Sequence, residues 1–149
     1  MKYYWLFYIP FLVQAVVIAY DEFYFHIKRG LPKWERIGHP LDTFSLILCL
    51  SFVLIFSYSK ALILPFAVLG TLSCLLVTKD EFVHKEHCDA KEQWLHALLF
   101  LNHPLVVISI GYMWSQGKQF SPFLILQLFL AAIFCLYQLI FWNLVWKEK

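Results

Sequence analysis

The chain has 149 residues, of which 61% are hydrophobic and 15% charged, with a formal net charge of +2 and a mean hydropathy of +0.66. Soluble domains average about 25% charged and about 45–50% apolar residues, so one water-facing core of this size could not hide so much apolar surface. The composition excludes a soluble enzyme, a disordered tail and a nucleic-acid binder, and points to lipid as the solvent.

Five apolar runs follow in chain order: Tyr3–Tyr20, Phe44–Ser59 (lengthened by Leu41–Thr43), Ala61–Thr78, Trp94–Trp114 and Phe120–Trp146. Each reaches the roughly 17–25 residues a helix needs to cross a bilayer. None alternates with period two, and backbone groups in lipid must be satisfied within their own segment, so the runs are predicted to be helices. A secretory signal peptide is the alternative for the first run. Its single Lys2, Pro10 and many aromatics argue against that. The predicted class is therefore an all-α polytopic membrane protein, one domain over 1–149.

Helix ends are marked by local chemistry. Gly30 suits the position after helix 1, and Pro32 suits the first turn of helix 2. Pro40 is expected to kink or divide helix 2, and Pro104 to kink helix 4. Helix 3 is expected to continue to about residue 87. Asp89-Ala-Lys-Glu92 resembles a capping box that starts helix 4. Trp94, Trp114, Trp142 and Trp146 fall near span ends, as an interfacial aromatic belt requires.

Five crossings sort the charges. Lys2, Lys60 and Lys118 fall on one face, and the other nine Lys and Arg fall on the second. The second face is then cytoplasmic and the N-terminus outside, as in a bacterial-type plasma membrane. All ten acids and all six histidines belong to that same cytoplasmic side, with His103 deepest in its helix.

Two short patterns recur. Asp-Glu-Phe stands at 21–23 and 80–82, and Glu-x-x-x-His at Glu35/His39 and Glu92/His96. They suggest two parallel helical hairpins, about 3–58 and 61–114, with an extra helix at about 120–146.

On those helices Glu22/His26, Glu35/His39, Asp80/His84 and Glu92/His96 are i, i+4 pairs, each on one helical face. Asp42, His87 and His103 extend three of these faces. Convergence of the four faces would gather carboxylates and imidazoles at one bundle mouth. Soluble di-iron bundles build their sites from similar pairs on four helices, which is an analogy of architecture. Mixed imidazole and carboxylate sets bind iron, zinc or manganese. The candidate ligands are Glu22, His26, Glu35, His39, Asp80, His84, Glu92 and His96, with His87, His103 and Asp42 in second rank. The bland alternative is a solvated charged face laced with Lys pairs such as Glu81/Lys85. For His103 it is a hydrogen bond to a neighbouring helix.

The cofactor expected is Fe or Zn, in one or two positions. The expected activity is di-iron-type oxidation of a lipid-like or isoprenoid substrate at the inner leaflet. A zinc hydrolase, a metal-handling protein and a noncatalytic scaffold are the alternatives. Expected partners are membrane lipid or another amphiphile, with a redox or soluble partner on the cytoplasmic face and no nucleic acid. His84-x-x-His87-Cys88 lacks the second cluster that a zinc finger needs. Phosphate-loop, Gly-x-Ser-x-Gly and His-Glu-x-x-His motifs are absent.

Overall fold

The computed structural model describes residues 4–81 and 88–146. Five helices are long and apolar enough to cross a membrane: α1 (Trp5–Arg29), α2 (Lys33–Ile55), α3 (Lys60–Val77), α4 (Ala90–Ser115) and α5 (Pro122–Val145). No strand occurs among the described residues.

The ends follow the local chemistry. α1 stops where Gly30 takes φ +78°, and the Gly30 N–H donates to His26 O at 2.7 Å. α2 begins at Lys33, with Pro32 just ahead of it instead of inside its first turn. Asp89 caps α4, its Oδ1 accepting from the N–H groups of Lys91 and Glu92 at 2.9 Å each. Ser121 caps α5 through Leu124 N–H. α2 runs through Pro40 as one helix, so of the two expected outcomes, a kink or a division, the division does not occur.

α1 packs along α4, α2 along α5 and α3, and α3 against α4. Aromatic pairs such as Phe11–Phe123 and Phe23–Tyr137 tie α5 to α1. The principal core lies toward the end that holds the α2–α3 and α4–α5 links. It contains Leu50, Val53, Val106, Ile110, Met113, Trp114 and Leu124. There Trp114 Nε1 donates to Phe56 O at 2.7 Å and satisfies a carbonyl beyond the end of α2. The perimeter is apolar: Ile55, Leu64, Leu101 and Leu144 are each more than 70% exposed. Polar groups point inward instead. This inversion suits a protein surrounded by hydrocarbon.

At the opposite, polar end, the backbone changes character. Asp21–His26 of α1 and Phe141–Val145 of α5 are π-helical. Thr78–Asp80, after α3, is a 3-10 turn. The first Asp-Glu-Phe segment and the residues leading into the second thus take opposite departures from α geometry.

Candidate metal centre

The polar end brings together side chains from four helices. In an ordinary α-helix, five residues advance about 500°, which leaves Asp21 and His26 about 140° apart in azimuth. The π turn returns the chain after five residues instead of four. Asp21 and Glu22 therefore both reach His26. Glu22 Oε2 accepts from His26 Nδ1 at 3.1 Å. Asp21 Oδ2 lies 3.1 Å from His26 Nε2 on the other side of the ring. A carboxylate accepts only, so each ring nitrogen offers a proton to its carboxylate; Nδ1 is committed to Glu22 outside the group, and Nε2 is the nitrogen that faces into it.

α4 supplies the facing pair. His96 Nε2 is 3.0 Å from the same Asp21 Oδ2, and Glu92 Oε1 is 3.8 Å from His26 Nε2. Asp21, His26, Glu92 and His96 offer four ligand atoms within 4.8 Å of one another. All four residues are at most 4% exposed. Two donors held about 2.1 Å from one ion at tetrahedral or octahedral angles stand about 3.0–3.4 Å apart, so the shorter contacts fit a coordination shell. Asp21 Oδ1 is buried without a hydrogen-bond partner. This buried Asp/His/Glu/His group could hold a metal ion.

A second group adjoins it. His26, Glu35 and His39 also offer atoms within 4.8 Å of one another. His26 and His39 meet edge to face, with ring centroids 4.8 Å apart. Arg29 links the groups. Its Nη2 donates to Glu35 Oε2 at 2.9 Å and to Glu92 Oε1 at 2.8 Å. Its Nε donates to the same Glu92 oxygen at 3.2 Å. From α5, Trp142 Nε1 donates to Glu22 Oε1. Asp21, Glu22, Glu35 and Glu92 are all buried, and the one guanidinium among them pairs with Glu35 and Glu92. Buried carboxylates in such excess call for further positive charge, from protons or from a cation.

The other candidates lie elsewhere. Asp42 forms an ion pair with Lys79, whose Nζ donates to Oδ1 at 2.7 Å and to Oδ2 at 2.8 Å. The Asp80 side chain, His84 and His87 lie outside the described residues. His103 sits deeper and clasps helices: Gln14 Nε2 of α1 donates to its Nδ1 at 3.1 Å, and its Nε2 meets Ser73 Oγ of α3 at 2.9 Å. Ser73 continues to Ser45 Oγ of α2 at 2.7 Å. Asn102 donates to Gln14 Oε1 and to Pro10 O. Both ring nitrogens of His103 are therefore occupied by neighbouring helices.

Sequence reasoning missed three participants. Asp21 is five residues from His26, and a search for i, i+4 pairs passes over it; its signal was the Asp-Glu-Phe repeat. Arg29 looked like one more interfacial cation. Trp142 looked like part of an aromatic belt.

No protein-family model matches the chain, and neither curated proteins nor solved structures yield a match. What the arrangement can do therefore rests on its own chemistry.

Proposed function

We propose that the chain is a membrane enzyme whose centre is a metal ion held by Asp21, His26, Glu92 and His96. The observation that carries this reading is the meeting of these four buried ligand atoms, from two helices, within 4.8 Å. Glu22, fixed by Trp142, orients His26 as carboxylates orient metal-bound imidazoles. A balanced set of two imidazoles and two carboxylates suits iron, and iron supplies O₂-dependent oxidation. The substrate is an amphiphile of lipid or isoprenoid type, reached from the cytoplasmic leaflet. A groove of about 540 Å³ between α2 and α5 supports that class. Its walls are Ile37, Leu41, Phe44, Leu139 and Leu144, and Arg36 and Asn143 line it at the polar end.

One observation favours a second reading, a zinc hydrolase. The first group alone makes a complete four-ligand position, and Glu35, held by Arg29, stands beside it as a carboxylate outside the set, of the kind that serves as a base.

The deciding experiment is metal analysis of the detergent-purified chain beside Glu92→Ala/His96→Ala. Iron retained by the native chain and lost from the variant supports the oxidase. Zinc with the same behaviour supports the hydrolase. Absence of metal from both, after reconstitution with Fe, Zn and Mn under reducing conditions, would leave a noncatalytic scaffold.

A further inference from the structure

Resting on that reading of the centre, we infer that Arg29 fills a second, latent metal position and so limits the centre to a single ion. The guanidinium spans two carboxylates, as a bridging ion would. Its Nη2 contacts Glu35 on α2 at 2.9 Å and Glu92 on α4 at 2.8 Å. Glu92 belongs to the first ligand group and Glu35 to the second. Linking two carboxylates from different helices is the task of the second ion in a dinuclear carboxylate centre. A planar guanidinium with parallel donors performs the same neutralisation.

Ligand supply points the same way. The two groups share His26, and His26 has one nitrogen to give because Nδ1 faces Glu22. Once His26 Nε2 serves the first ion, the second group keeps Glu35 and His39, with Glu92 Oε1 across Arg29 Nη2 from Glu35. Arg29 already occupies the two carboxylate oxygens, Glu35 Oε2 and Glu92 Oε1.

Charge lets either state do the work of the other. Four buried carboxylates carry four negative charges. One divalent ion with Arg29 returns three positive charges, and two divalent ions without it return four. Two ions together with Arg29 would return five, and the guanidinium and the second ion would compete for the same Glu35 and Glu92 oxygens. Arg29 and a second ion therefore substitute for one another.

Cobalt(II) is the probe, counted per chain after equilibrium dialysis of the full-length protein in detergent. The native chain is expected to bind one ion, Arg29→Gln two, and Arg29→Gln/Glu35→Gln one, because the double variant lacks both the plug and a ligand. Cobalt is also expected to raise the melting temperature of Arg29→Gln more than that of the native chain. Two ions in the native chain, or one in Arg29→Gln, overturns the inference while the first centre stands. Failure of Arg29→Gln to fold even with cobalt overturns it too, since the second ion should replace the missing charge. No cobalt in any of the three removes the metal reading beneath it.

Discussion

Glu22 does its work through another residue. It holds His26 Nδ1 at 3.1 Å and is itself held by Trp142 from α5. Glu22→Gln keeps the shape and removes the charge that fixes the imidazole tautomer. The expected loss is about 10–100-fold in metal affinity, the usual cost of removing such an orienting group. Trp142→Phe should shift affinity in the same direction by less. Competition against a fluorescent chelator measures both, and unchanged affinity in the two variants would remove Glu22 from this role. Affinity should also fall as pH drops, because imidazole binds metal in its neutral form and protons compete for the same nitrogen. At this scale the sequence was legible where the chain stays α-helical. Glu35/His39 and Glu92/His96 stand out as spaced pairs because the i, i+4 rule holds there. Asp21 did not stand out, because its reach to His26 depends on a π turn that spacing alone does not announce. Arg29 reads as a surface cation until Glu35 and Glu92 are seen on either side of it.

Helix ends were legible for a plain reason: caps are local. Gly30, Asp89 and Ser121 act within one turn of themselves, so the sequence near each end suffices. Helix partners depend on long-range fit and were less so. Gly70 shows why. A Cβ built there would lie 2.5 Å from Val107 Cγ1, so α3 and α4 approach as closely as they do because no side chain stands between them. Small residues at membrane helix interfaces serve this purpose. Gly70→Ala should destabilise the bundle by about 1–3 kcal/mol, the usual cost of overpacking. Val107→Ala in the same chain should recover most of that, because it removes the colliding methyl. Detergent-titrated unfolding of the two variants measures both effects, and an additive double variant would show that the contact is not the cause. Gly70 lies on the far side of His103 from the centre, so metal content should stay constant. The same limit applies to Pro40. Its missing N–H is a local fact, but whether α2 breaks depends on what packs against it, and α2 continues.

The whole molecule is polarised along its helix axes. Among the described residues, one end carries the α2–α3 and α4–α5 links and the apolar core; the other carries the buried carboxylates, His26, His39 and His96, and most of the Lys and Arg. The excess of Lys and Arg predicts that the polar end faces the cytoplasm. Cys88 tests this in the native chain. It stands just ahead of α4 at the polar end, whereas Cys49, Cys74 and Cys135 lie inside spans. Burial pushes the Cys88 thiol up, and the carboxylates of Glu92 and Glu35 add to that against the opposing pull of Arg29. The sign follows directly. A raised value leaves less thiolate at neutral pH, and thiolate is the species that reacts. A membrane-impermeant maleimide should therefore label inverted vesicles slowly near pH 7, and the rate should climb about tenfold per pH unit without levelling near the ordinary cysteine value of about 8.5. Right-side-out vesicles should stay unlabelled, and Cys88→Ser should abolish the signal in inverted ones. Labelling from the outside would reverse the orientation and place the centre on the opposite side of the membrane. A rate that levelled near the ordinary value would instead show that Cys88 does not share the environment of Glu35 and Glu92, and that the start of α4 does not close over the centre.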